Sequence, residues 1–192
     1  MKKNLILLML VVFGLSMSSC SYNSMVEMDE AVSAQWSQVE NAYQRRADLI
    51  PNLVSTVKGY ATHEQETLTG VIEARAKATS VTLDASNLNA DNIAQFQAAQ
   101  DGLSQALSKL MVSVEQYPDL KANQNFLDLQ AQLEGTENRI TVERMKFNEA
   151  AQAYNTTIRK FPKNLTAMIF GFEKRDYFKA QQGAETAPKV EF

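Results

Sequence analysis

The chain has 192 residues, 45% of them hydrophobic and 21% charged, with a formal net charge of −3 and a single cysteine. That length suits one domain with its own core. The acidic balance argues against a nucleic-acid surface, which needs a basic stripe, and one Cys leaves no disulfide framework.

Lys2 and Lys3 open the chain as a positive n-region, followed by an apolar run over residues 5–15. Such a run suits a signal-peptide core of ~7–15 residues and falls short of the ~17–25 that span a bilayer. Ser16-Met17-Ser18-Ser19-Cys20 then looks like a bacterial lipoprotein signal, in which the Cys sulfur takes a diacylglycerol and becomes the new N-terminus. Met17 departs from the Leu preferred there. An ordinary secretory signal with a stray cysteine, or an uncleaved anchor, is the alternative. The lipoprotein reading divides the chain into a signal peptide over 1–19, a helical domain over 20–182 and a disordered tail over 183–192. With Cys20 lipidated, no thiol remains for redox or metal chemistry. Ser21 in place of Asp favours outer-membrane sorting, by resemblance to known lipoprotein addresses.

From Met25, steps of four and three pass through Asp29, Val32, Trp36, Val39, Tyr43, Arg46, Ile50, Leu53, Val57 and Tyr60. All but Asp29 and Arg46 are apolar or aromatic, a heptad stripe that predicts a long helix with a packing seam. The stripe keeps its phase across Pro51. An interior proline costs ~3 kcal/mol or more, so the unbroken phase favours a kinked, continuous helix over a stop near Ala47 with Asp48 capping a new one. Leu68, Val71 and Ile72 carry the apolar face to about Ala78, with Gly59 and Gly70 weakening it.

Residues 80–91 read as a loop, with Asp84, Ser86, Asn87 and Asn89 as turn or cap residues. A helix follows over 92–116, and Tyr117-Pro118-Asp119 ends it because proline drives the preceding residue out of helical geometry. Over 122–160, Phe126, Leu133, Ile140, Phe147, Tyr154 and Phe161 recur every seventh residue, which predicts a coiled-coil-like seam. That helix is roughly 60 Å long at ~1.5 Å per residue. Phe161-Pro162 stops it, and Asn164 caps a short apolar helix over 165–178.

Several stretches resemble the LemA family. They are Tyr22-Asn23-Ser24-Met25-Val26, Arg45-Arg46-Ala47-Asp48-Leu49-Ile50-Pro51-Asn52-Leu53-Val54, Thr56-Val57-Lys58-Gly59-Tyr60-Ala61-Thr62-His63-Glu64 and Glu73-Ala74-Arg75-Ala76. The second half adds Tyr117-Pro118-Asp119-Leu120-Lys121-Ala122-Asn123, Glu134-Gly135-Thr136-Glu137-Asn138-Arg139-Ile140, Tyr154-Asn155, Phe161-Pro162-Lys163-Asn164 and Gly171-Phe172. The resemblance implies an all-α fold, an elongated antiparallel bundle of long helices anchored at the bacterial envelope by its N-terminus. It carries over no reaction and no catalytic residue. Relatives are tethered by an apolar helix, whereas this chain ends its apolar run at Cys20, which suggests a lipid instead.

The residues point the same way on chemistry. His63-Glu64-Gln65-Glu66 lacks the second His of a zincin, since Thr67 stands there, and no other His exists. Zinc sites need about four ligands, so His63 is expected on a helix surface and neither a metal nor another cofactor is expected. Nucleophilic triads lack their parts.

The polar residues on the seams are more informative, because buried charge is expensive unless paired. Arg46 lies on the seam of the first helix with Arg45 and Asp48 beside it, and Glu137 and Arg144 lie on the seam of the helix over 122–160, with Asn148 and Asn155 further along. Pairing of Arg46 with Glu137, or of Asp48 with Arg144, would form a layer that fixes helix register or a polar groove that binds a partner. Leu165, Met168, Ile169, Phe172 and Phe178 belong to an apolar patch flanked by lysines, either a cap over the bundle or a docking site. If the first helix does not reverse at Pro51, Phe172 lies far from the anchor. The expectation is a non-enzymatic, lipid-anchored scaffold or adaptor facing the periplasm, attached to membrane and to a protein partner in the envelope, without nucleic acid or small-molecule substrate. An envelope stress or quality-control factor regulating a partner protease or hydrolase is the alternative.

Overall fold

The structure, a computed structural model, describes residues 2–61, 63–85 and 88–179, with side chains from Ser21 onward. The lipidation expected at Cys20, the side chains of the signal segment and the tail over 183–192 lie outside the described residues.

α1 (Lys2–Lys58) is continuous through Pro51. The N–H that Pro51 lacks would have bonded the Ala47 carbonyl one turn back. Arg75 on α2 (Gln65–Ser80) supplies the missing donor, its Nε lying 2.7 Å from that oxygen. The chain reverses at residues 59–64, where Gly59 and Tyr60 form a turn, and His63 sits exposed in that turn rather than on a helix. α2 returns along α1. α3 (Ala90–Val114) runs outward again, its first turn capped by the Asn89 side chain, which accepts from Asn92 N–H at 2.9 Å. The single turn α4 (Pro118–Lys121) plugs the far end with fully buried Leu120. α5 (Gln124–Arg159), capped by Asn123, then runs back antiparallel to α1, and α6 (Lys163–Phe170) follows. All described regular elements are helical, so the fold is an all-α antiparallel bundle.

This path corrects the expected geometry. Three reversals precede α5, so α5 comes back toward the N-terminal end of the bundle. Tyr22 packs against Phe170 and Phe172 with ring centroids 4.8 and 5.6 Å apart. Phe172 therefore lies beside the start of the described side chains, not far from it.

Two apolar clusters fill the bundle. The proximal one joins Met25, Val32, Trp36, Val39 and Tyr43 of α1 to Phe96, Ile140, Phe147 and Tyr154. The distal one joins Ile50, Leu53 and Val57 to Val71, Leu103, Leu110, Leu120 and Phe126. Five of the six heptad residues of the last long helix are buried, but Phe161 is 82% exposed because α5 ends at Arg159. The apolar helix expected over 165–178 also ends early. Gly171 adopts a left-handed φ of 74°, which only glycine takes without strain, and the chain beyond it is extended.

Candidate functional site

Four features could carry function: a polar layer between the two apolar clusters, an extended strap after α6, the exposed end of α6 itself, and a groove between α2 and α3.

The layer centres on Arg46, 2% exposed. One terminal nitrogen donates to both carboxylate oxygens of Glu137 on α5, at 2.8 and 2.9 Å, and to Ser104 Oγ on α3 at 2.9 Å. The other donates to the side-chain and backbone oxygens of Gln100, at 2.8 and 3.2 Å. Gln100 passes the connection to α2 through its own N–H to the Ala78 carbonyl, 3.1 Å away. One guanidinium thus ties α1, α3 and α5 directly and α2 at one remove, with its plane near the Tyr43 ring. A planar fork with several donors suits such a junction, where an ammonium would not. Asp48 and Arg144 do not meet. Asp48 is exposed and accepts from Gln44 on its own helix at 2.7 Å, because a residue two steps beyond Arg46 faces away from the seam. Arg144 instead donates to the Lys179 carbonyl at 3.0 Å and lies over the Phe178 ring.

Asn148 and Asn155 hold the strap. Each side-chain amide pairs with one residue of the extended chain in both directions. Asn155 donates to the Arg175 carbonyl at 2.7 Å and accepts its N–H at 2.8 Å. Asn148 does the same with Phe178, at 3.1 and 2.9 Å. The spacing accounts for the match: seven helical residues rise ~10.5 Å, and three extended residues cover ~10 Å. Arg175 is further fixed by an ion pair to Asp29 on α1 at 2.9 Å. These contacts seat Phe178 in the proximal cluster, 5% exposed and stacked on Trp36 at 5.7 Å. Phe178 is therefore core, not docking surface.

Leu165, Met168 and Ile169 do remain exposed, at 48, 76 and 73%. Phe172 is half-buried against Tyr22. A further opening lies between α2 and α3, a groove of about 870 Å³ floored by small residues including Gly70, Ala74, Ala98 and Gly102 and edged by Glu73, Lys77 and Lys109.

The sequence pattern of the LemA family matches residues 35–192. The chain belongs to the LemA family. Among curated relatives, magnetosome protein MamQ 2 of Paramagnetospirillum magneticum is 29% identical over 182 residues, covering 86% of this chain and 67% of the relative. Magnetosome protein MamQ of Magnetospirillum gryphiswaldense is 29% identical over 184 residues with the same coverage. Protein LemA of Metamycoplasma hominis is 23% identical over 160 residues, 83% of this chain and 69% of the relative. The LemA match spans the polar layer, the strap and α6 alike.

Sequence reasoning missed Glu143, the most buried acid among the described residues of this LemA protein, 1% exposed. It accepts from Gln35 at 2.6 Å and pairs with Arg139 and Lys146 at 2.7 and 3.3 Å. Burial works to raise its pKa, but the hydrogen bonds from Gln35 and Lys146 and the charges of Arg139 and Lys146 outweigh it and hold the carboxyl below the usual range. The signal was present, since Arg139 and Lys146 stand four before and three after Glu143 on one helix face. Among the described residues no group of three or more His, Cys, Asp or Glu side chains could hold a metal ion, and no helix is long and apolar enough to cross a membrane.

Proposed function

We propose that this LemA protein is a non-enzymatic scaffold or adaptor of the bacterial cell envelope, tethered by a lipid on Cys20 and facing the periplasm from the outer membrane. The observation that carries the reading is the continuity of α1 from the N-terminal segment to Lys58. From Ser21 onward it gives a stiff arm of roughly 57 Å at ~1.5 Å per residue, braced throughout by α5. Such an arm holds the α2–α3 groove at a fixed distance from whatever grips the N-terminus. The groove's floor of Gly and Ala would let a partner helix approach closely, and its charged edges would orient it. Relatives named as magnetosome proteins accord with a supporting part in a larger assembly.

Metabolic labelling with a clickable fatty acid tests the tether. Label is expected on the wild-type chain and lost from Cys20→Ala; label retained on that variant, or never seen on the wild type, overturns the lipid anchor. A photo-crosslinking residue at Gln105, in the groove, is expected to give a discrete adduct in intact cells where one at Val142 on α5 gives none. Identical patterns from both positions would overturn the adaptor role of the groove.

A further inference from the structure

α6 is attached the wrong way round for a soluble helix. Its buried residues are Thr166 and Ala167, while Leu165, Met168, Ile169 and Phe170 are 48, 76, 73 and 58% exposed, joined by Phe161 at 82%. Burying apolar side chains is favourable, so a fold that turns all of them outward leaves that contact energy unused. A contiguous patch of this kind on a soluble domain marks a binding surface.

Three observations decide what covers it. The first is place. Lys163 Nζ donates to Ser24 Oγ at 3.1 Å and Phe170 packs on Tyr22, so α6 sits beside the residues that directly follow Cys20. The second is charge. Residues 159–170 carry Arg159, Lys160 and Lys163 and no acid, in a chain whose net charge is −3. The third is composition. Phe, Leu, Ile and Met beside Lys and Arg is the pattern of a segment lying in a membrane interface, and aromatic residues such as Tyr22 favour headgroup depth.

We propose that the α6 end of the bundle, Phe161 with Leu165, Met168, Ile169 and Phe170, docks into the lipid surface of the membrane that holds the N-terminus, with Arg159, Lys160 and Lys163 against anionic headgroups. The proposal rests on the N-terminal anchor proposed above. A single tether would let the rod swing freely. A second contact beside it fixes the rod's angle to the membrane, and with it the direction in which the α2–α3 groove faces. Each basic residue near an anionic surface adds to the attraction, and the tether supplies the high local concentration that makes a small apolar patch sufficient.

The test uses the full chain reconstituted in vesicles of phosphatidylethanolamine and phosphatidylglycerol with brominated acyl chains. Trp36 is fully buried and gives a constant background. Ile169→Trp and, separately, Met168→Trp place a reporter at exposed positions where substitution leaves the core intact, and Val112→Trp, 72% exposed on α3, reports from the far end. Blue-shifted emission and bromine quenching at positions 169 and 168, with none at 112, is the expected result. A chain that floats with the vesicles but shows no quenching at 169 or 168 overturns the docking and leaves the anchor standing. A blue shift without bromine quenching means a second copy or another protein covers the patch, which also overturns it, as does equal quenching at 112. A chain that fails to float overturns the anchor, and this proposal with it.

Discussion

Arg46 has a buried guanidinium while its partner Glu137 is half exposed, and that asymmetry sets what removing either one does. Glu137 can turn to water when alone. Arg46 cannot, and its Nε already lacks an acceptor. Arg46→Ala frees Glu137 to water but leaves the buried Gln100 oxygens without their donor and a cavity where three helices meet, and is expected to destabilise the fold by about 3–5 kcal/mol. Glu137→Ala should cost less, about 1–3 kcal/mol, because Ser104 and Gln100 still accept from the guanidinium. In a double-mutant cycle read by urea unfolding the two should couple by about 1–2 kcal/mol; additive losses would mean that Arg46 acts through Gln100 and Ser104 alone. In the sequence Arg46 stands out as an interruption in an apolar stripe, with two candidate pairings for the seam. The stripe could not choose between them, because which helix faces which depends on the chain reversals.

At the scale of the element, Pro51 and Arg75 form a unit. Proline deletes the donor to the Ala47 carbonyl, Ala47 is 3% exposed, and Arg75 replaces the donor from a neighbouring helix. Arg75→Leu is expected to destabilise by about 1–3 kcal/mol by leaving a buried carbonyl unpaired. Pro51→Ala should restore the helical N–H, so the double variant should recover most of that loss, and thermal unfolding of the four proteins measures it. An uncorrected loss in the double variant would show that Arg75 matters for packing rather than for the orphan carbonyl. The strap makes a parallel case. Asn155→Ala removes both bonds to Arg175, at about 2 kcal/mol. Asn155→Asp keeps the acceptor and exchanges the donor for an oxygen facing the Arg175 carbonyl, so it should cost at least as much; hydrogen exchange at Arg175 and Phe178 reads both.

Long helices were legible because apolar residues that recur every seventh position line one face of a helix and would alternate between the two faces of a strand. The strap was not. Phe172, Tyr177 and Phe178 look equally apolar in a helix or an extended chain, and only the polar spacing of Asn148 and Asn155 hinted that α5 offers backbone-like partners two turns apart.

For the whole molecule, the decisive feature was the turn at residues 59–64, which the sequence showed only as Gly59 inside a continuing apolar face. That one reversal sends α2 back, brings α5 home antiparallel to α1, and places α6 at the N-terminal end. The Arg46 layer divides the core, and the proximal half carries two buried phenols, Tyr43 and Tyr154. Burial raises Tyr43, and burial reinforced by the charge of Asp29 pushes Tyr154 up to about 12 from the usual 10.0. The sign follows directly. Below pH 10 both folded and unfolded chains hold these protons and the groups leave stability unchanged. Between about 10 and 12 the unfolded chain ionises Tyr154 while the folded chain does not, so stability falls as pH rises through that window. Emission from Trp36, which packs in the same cluster, should therefore report alkaline unfolding that begins above pH 10. Tyr154→Phe has no proton to lose and should hold its urea midpoint further into that range than the wild type does. An identical pH profile in the two proteins would mean that the alkaline loss comes from other groups and that Tyr154 does not govern it.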